Sequence, residues 1–255
     1  MNVFSNSFEG YLMYKIAPSI ISANFAKLGE EIVNVLASGA DIIHIEVMNR
    51  HFVPTYRNGS KACAAIRPIT QAPIEIHLTS GYNIENSLND LVPEYAKAGA
   101  NIITFHPEAV DRDAYNLPSF ENIERIVDLI HENGCKAGLA FNAGTPFSYL
   151  DHVISKVDVV LIMSKQTGLI SGQKFIPEAI NKVRLARKKI NDSGRNIILE
   201  VHGDVNLGNI AQIAMAGADT FVIGSALYEA GNDNDPNCYD SIIATLRAEL
   251  AKVSS

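Results

Sequence analysis

Apolar residues along this chain gather in short runs, at 15–21, 41–48, 73–78, 101–106, 136–142, 157–164, 196–203 and 218–225. Runs of this length, bounded by polar or glycine-containing breaks, read as buried strands. Between them, stretches such as 83–97, 119–133 and 177–193 place apolar residues three and four positions apart, which lines one face of a helix. A recurring junction separates helix from strand: Ala37-Ser38-Gly39-Ala40-Asp41, Lys97-Ala98-Gly99-Ala100-Asn101 and Met215-Ala216-Gly217-Ala218-Asp219. Glycine fits the left-handed position just past a helix, where a Cβ would clash, so each junction predicts a helix stop followed by a strand. Gly134 and Gly194 are expected to do the same before 136–142 and 196–203.

Strict alternation of strand and helix requires parallel strands joined by right-handed crossovers, and eight such units in 255 residues close into a barrel. An open doubly wound sheet is the alternative, but Ile21-Ser22-Ala23-Asn24 stands after the first strand where a Gly-x-Gly-x-x-Gly turn would be expected. The second run alternates His44, Glu46 and Met48 with Ile43, Ile45 and Val47. Successive strand residues face opposite ways, so this strand has a polar face, which must point into the barrel. The expected architecture is a single-domain (β/α)8 TIM barrel over 15–255, preceded by an N-terminal extension, 1–14.

Composition narrows the functions. With 47% hydrophobic residues the chain can bury one core without disulfides, and a formal net charge of -7 argues against a nucleic-acid partner. The densest basic stretch, Lys182, Arg184, Arg187, Lys188 and Lys189, falls at helical spacing and reads as a solvated helix face. Cys63, Cys135 and Cys238 lie far apart with no metal-ligand spacing, which points to a reducing compartment, the cytoplasm. The opening segment contains Glu9 and lacks a basic start, so it does not read as a signal peptide. No apolar run approaches the ~18 residues of a membrane span.

Barrels of this kind place their chemistry at the C-terminal ends of the strands. His44, His77, His106 and His202 fall at or near predicted strand ends, whereas His131 and His152 fall in helical stretches and read as surface residues. His44, Glu46, His77 and His202 together offer the nitrogen and carboxylate donors that suit Zn²⁺ or a similar first-row divalent ion. The spacing leaves a second reading open, in which each His is satisfied separately by backbone or water. Met48 and Met163 at strand ends can pack over a substrate or simply fill core. The turn Gly224-Ser225 opens a short helix after the last strand, where barrels bind phosphate, with Gly203 and the 168–172 loop, including Gly172, as further donors. Plain helix capping by Ser225 is the competing explanation.

These residues sit in segments that resemble the ribulose-phosphate 3-epimerase family from Lys15 to about Tyr228. The segments are Ala17-Pro18-Ser19-Ile20-Ile21-Ser22-Ala23-Asn24-Phe25, Ile43-His44-Ile45-Glu46-Val47-Met48-Asn49-Arg50-His51-Phe52-Val53-Pro54, Ile76-His77-Leu78, Ala140-Phe141-Asn142-Ala143-Gly144-Thr145-Pro146, Gly172-Gln173-Lys174-Phe175 and Glu200-Val201-His202-Gly203. The resemblance implies a divalent ion, usually zinc with Fe²⁺, Mn²⁺ or Co²⁺ as alternatives, at His44, Glu46, His77 and His202. It also implies proton transfer by Glu46 and His202 through an enediolate of a small phosphorylated sugar. Ser19, Met48, His77 and Met163 are implied as substrate contacts, Gly172, Gly203, Gly224 and Ser225 as a phosphate cradle, and a homo-oligomer as the assembly. The sequence departs from the family pattern at the chemistry: Glu46 and His202 stand where that pattern has Asp, Asn49-Arg50 replaces Asp-Gly, Thr79 replaces a Met and Asp204 a Gly. The leading expectation is a metal-dependent ketose-phosphate epimerase. The alternatives are an isomerase or decarboxylase passing through a similar enediolate, with Arg50 and Lys165 available for a carboxylate, and a barrel that binds sugar phosphate without turnover.

Overall fold

The computed structural model describes residues 14–48, 59–79, 87–110, 118–165, 167, 174–231, 235 and 237–253. Each of the eight apolar runs contains a strand: β1 Lys15–Pro18, β2 Ile43–Met48, β3 Ile74–Thr79, β4 Ile102–Phe105, β5 Lys136–Phe141, β6 Val159–Met163, β7 Ile198–His202 and β8 Thr220–Ile223. All pair in parallel in the order β1-β8-β7-β6-β5-β4-β3-β2. A bridge between Ser19 and His44 joins the two ends of that order and closes the barrel. The α-helices among the described residues are α1 Leu28–Ala37, α2 Ser60–Ile66, α3 Leu88–Lys97, α4 Phe120–Glu132, α5 Ser148–Val153, α6 Ala179–Ser193, α7 Ile210–Met215, α8 Ser225–Tyr228 and α9 Asp240–Ala251.

Sequence periodicity explains how the helices dock. In α4, Ile123, Ile126, Val127 and Ile130 are buried, and the Ser119 side chain caps the start by accepting from the Asn122 N–H. Each such side chain taken from water contributes about 1.5–3 kcal/mol, enough for the face, not the intrinsic propensity, to hold the helix in place. In β2 the alternation sorts the residues between two environments. Ile43, Ile45 and Val47 join the apolar layer between sheet and helices, while His44 and Glu46 are buried inside the barrel.

The junction glycines have positive φ, from 68° at Gly194 to 112° at Gly217. At Gly217 the space is also filled, since a Cβ would lie 2.6 Å from Arg187 Cγ. The Asp or Asn just before β2, β4, β6 and β8 has a role of its own. Asp41 accepts from the Ile16 N–H at 2.7 Å, Asn101 from Ile74 at 2.9 Å, Asp158 from Ala137 at 2.9 Å and Asp219 from Leu199 at 3.1 Å. Each side chain thus satisfies a backbone donor near the start of the preceding strand, and a basic partner backs it: Arg247, Arg67, His131 and Arg187 respectively. Gly217→Ala is expected to cost about 2–4 kcal/mol, because it combines a strained backbone with displacement of Arg187 from Asp219. A urea melt of that variant with an unchanged midpoint would refute this account.

One expectation needs correction. The basic stretch of α6 is not a uniformly solvated face: Lys182 donates to the carbonyls of Asn142, Ala143 and Thr145, and Arg187 bonds the Gly217 carbonyl and Asp219. These side chains reach back over the neighbouring barrel loops instead of out into water. Tyr14, the last residue of the expected extension, is packed, with its ring edge against Phe221 and its carbonyl accepting from Arg247.

Candidate metal centre

Parallel register places inward-facing residues in two layers. His44 pairs with Glu75 and Glu46 with His77 across β2 and β3, and His202 pairs with Met163 across β6 and β7. The lower layer therefore holds His44, Glu75 and Glu200, and the upper layer, at the strands' C-terminal ends, holds Glu46, His77, His202 and Met163. All seven are buried.

Glu46 Oε1 is the hub of the upper layer. It lies 3.0 Å from His77 Nδ1, 2.8 Å from His202 Nδ1 and 3.7 Å from His44 Nε2. One donor atom from each of these four residues falls within 4.8 Å of the others. His202 Nδ1 is buried without the alignment a hydrogen bond requires, and His44 Nε2 is buried with no hydrogen-bond partner. An imidazole nitrogen so placed is costly unless something binds it. His44 Nδ1 is 3.0 Å from Glu75 Oε2, whose other oxygen accepts from Thr104 at 3.0 Å. A carboxylate on the outer nitrogen turns the inner one toward the centre, the usual support of a metal-binding His. The four residues fit a divalent cation.

Burial and mutual charge shift these groups strongly. Burial would lower His44, but the hydrogen bonds and charges of Glu46 and Glu75 outweigh it and hold the ring at about 9. Burial would raise Glu46, and the facing His77, His202 and His44 rings instead hold it well below the ordinary carboxylate range. Burial pushes His202 down to about 4 despite Glu46. Below the centre, Glu200 is pushed up by burial and by Glu75. Burial, together with His77, also holds His106 well below the ordinary range.

The sequence-predicted residues divide clearly. His44, Glu46, His77 and His202 converge. Ser19 is fully buried, and its Oγ has no hydrogen-bond partner. It sits beside the centre through its bridge to His44. Met48 and Met163 are buried at strand ends, and Met163 packs with Ala140 and Leu161. Gly203, Gly224 and Ser225 lie just past β7 and β8. Ser225 does not cap α8: Gly224 occupies the N-cap, and no side-chain cap bond forms. Asp204 adopts a left-handed φ of 53°, and its carboxylate accepts from the Phe175 N–H at 3.0 Å. Gly172, Asn49 and Arg50 lie outside the described residues. His131 and His152 are exposed, as expected. Sequence reading missed Glu75 and Glu200 as partners, although each stands two residues before a ligand on the same strand face.

A closed parallel barrel whose strand ends bury three imidazoles and a carboxylate around one point defines the class of barrel proteins that carry, at the strand ends, a donor set able to hold a divalent cation. Comparison with known proteins makes this specific. Residues 15–228 match the Ribulose-phosphate 3 epimerase family, and the chain belongs to that family. It is 46% identical over 242 residues to ribulose-phosphate 3-epimerase of Escherichia coli (strain K12), covering 94% of this chain and 98% of that one. It is 49% identical over 216 residues to ribulose-phosphate 3-epimerase of Serratia marcescens, covering 84% and 95%. Among solved structures, KGPDC from Streptococcus mutans matches with a TM-score of 0.62 at 13% identity, covering 94% of this chain and 99% of that one. The 3-hexulose-6-phosphate synthase from Salmonella typhimurium matches at 0.64 and 16%, covering 94% and 99%. At such identities these two likenesses speak to the fold alone.

Proposed function

We propose that the protein is a divalent-metal-dependent epimerase of a phosphorylated ketose, ribulose 5-phosphate being the first substrate to test. The observation that carries this reading is the convergence of His44, Glu46, His77 and His202 within 4.8 Å of one another in a buried layer at the barrel mouth, joined to family membership. Three imidazoles and one carboxylate suit Zn²⁺ best, with Fe²⁺, Co²⁺ and Mn²⁺ in the same ligand range. A cation held there supplies positive charge to offset the oxyanion that develops as the carbon beside the ketone loses its proton.

The chain's own groups do the rest. Glu46 takes the proton from that carbon. His202, whose Nδ1 faces Glu46, keeps Nε2 on the far side of its ring to return a proton to the other face of the substrate. Met48 and Met163 give the enediolate an apolar floor and wall that exclude water. The backbone turns at Gly203, Gly224 and Ser225 receive the phosphate, with Gly172 as an added donor. Free thiols at Cys63, Cys135 and Cys238 support a cytoplasmic setting. Among the described residues no helix is long and apolar enough to cross a membrane.

Protein loaded with Zn²⁺ or Mn²⁺ is expected to wash solvent deuterium into the carbon beside the ketone of a ketose 5- or 6-phosphate, and chelation is expected to stop it. Absence of exchange across a broad panel sinks the proposal. One observation favours a second reading. Lys165, just past β6, is half-buried with its stem against Gly203, where a Cβ would lie 2.6 Å from Lys165 Cγ. An ammonium there suits a substrate bearing a carboxylate, as an enediolate decarboxylase requires. NMR analysis of the products separates the two reactions.

A further inference from the structure

His106 takes no part in the reaction proposed above, yet it is fully buried against the centre. Its Nε2 lies 3.0 Å from His77 Nε2, and its Nδ1 lies 3.3 Å from Asn142 Nδ2 and 3.9 Å from the Glu108 carboxylate, which would also accept a proton carried there. Thr167 donates to Asn142 Oδ1. The backbone of Asn142 is fixed, because Lys182 holds its carbonyl and those of Ala143 and Thr145. Only the amide of Asn142 is left to turn, about a terminal torsion that is intrinsically soft.

Two imidazole nitrogens 3.0 Å apart need one N–H between them, since two bare lone pairs or two N–H groups repel. Each neutral ring carries a single N–H, so the tautomers of His77 and His106 are tied together. In the arrangement seen, Asn142 offers its NH₂ to His106 Nδ1. His106 must then carry its proton on Nε2 and donate to His77. His77 in turn carries its proton on Nδ1, facing Glu46 Oε1 at 3.0 Å. That tautomer presents no lone pair to the centre. For His77 to act as a ligand through Nδ1, the nitrogen on the centre side, its proton must sit on Nε2. His106 must then accept there, carry its own proton on Nδ1, and meet the oxygen of Asn142 instead of its NH₂.

We infer that His106 and Asn142 are positioning residues for the metal centre: loading the centre reverses the tautomers of His77 and His106 and turns the Asn142 amide over, exchanging its contact with Thr167 in the segment after β6. No proton is gained or lost along the chain of bonds. The hydroxyl of Thr167 tolerates either orientation because it donates and accepts. The inference rests on the metal-centre reading and adds to it a physical link between occupancy and Thr167.

Long-range ¹H–¹⁵N correlation spectra of the full chain, chelated and zinc-loaded, test it. His77 is expected to move its proton from Nδ1 to Nε2 and His106 from Nε2 to Nδ1. Competition with a chromophoric chelator supplies an independent readout. His106→Phe, which removes the acceptor for His77 Nε2–H, is expected to bind zinc about ten- to a hundredfold more weakly. His106→Gln, whose amide oxygen accepts in its place, is expected to recover most of that loss, and melting of the zinc-free variants reports on the fold separately. Unchanged tautomers on loading, or a His106→Phe protein with natural zinc affinity, overturn the inference while leaving the metal centre standing. A natural chain that binds no zinc overturns both.

Discussion

Glu46→Gln is expected to slow epimerisation of a phosphorylated ketose by at least about a thousandfold, the scale of losing a positioned general base together with metal-borne charge stabilisation. The size of the effect follows from the crowding at Glu46 Oε1, with His77 and His202 nitrogens at 3.0 and 2.8 Å and His44 Nε2 at 3.7 Å. A glutamine of the same shape loses the charge that all three rings share, and its NH₂ can at best repel a cation. Glu46 is also the one carboxylate among the four converging donors, so the oxygen proposed to abstract the proton goes with it. Glu46→Asp separates the two losses. It keeps the charge but retracts the oxygens by about one methylene, and a misplacement near 1 Å costs on the order of a hundredfold. Steady-state kinetics across a metal titration check both variants; a Gln protein within tenfold of the natural chain would remove Glu46 from the reaction.

The second large effect belongs to His202. His202→Ala is expected to leave the purified protein with sub-stoichiometric zinc and little turnover, since in the proposed reaction the imidazole supplies both a donor to the centre and the group that returns the proton. Added imidazole is expected to restore part of the activity by occupying the space left. His202→Asp tests the chemistry of the donor set itself. A second carboxylate replaces a nitrogen with a harder oxygen ligand, so the preference is expected to move from zinc toward manganese. Metal analysis of each variant, followed by competition between the two ions, decides the matter. Full zinc occupancy in the Ala variant would show that the centre does not use this residue.

The period-2 and period-3.6 patterns were enough to place eight strands and the helices α3, α4 and α6, because burying one face of each element is a local demand written into neighbouring residues. The junction glycines were legible for the same reason, since a left-handed turn past a helix excludes other side chains wherever it occurs. So was the inward face of β2, where His44 and Glu46 break an apolar run at alternate positions. The role of the Asp and Asn residues just before β2, β4, β6 and β8 was not legible, because each bonds a strand about twenty or more positions earlier in the chain. Lys182 was misread for a similar reason: helical spacing says which side of a helix a lysine leaves, but not that the β5–α5 loop passes within its reach.

The donor set divides along the same line. Residue order alone settles which residue types stand at the strand ends and that a parallel barrel would carry them to one rim. It left open whether four side chains from three strands share one point or are satisfied apart, since strand register and ring rotation are set by contacts between segments distant along the chain. Tertiary structure decided that question, bringing Glu46 between three imidazoles and leaving His44 Nε2 buried and unbonded. It also brought in Glu75 and His106, which lie within hydrogen-bond reach of the outer nitrogens of His44 and His77. Local sequence records what each segment must bury, whereas only the closed barrel fixes which buried polar atoms meet.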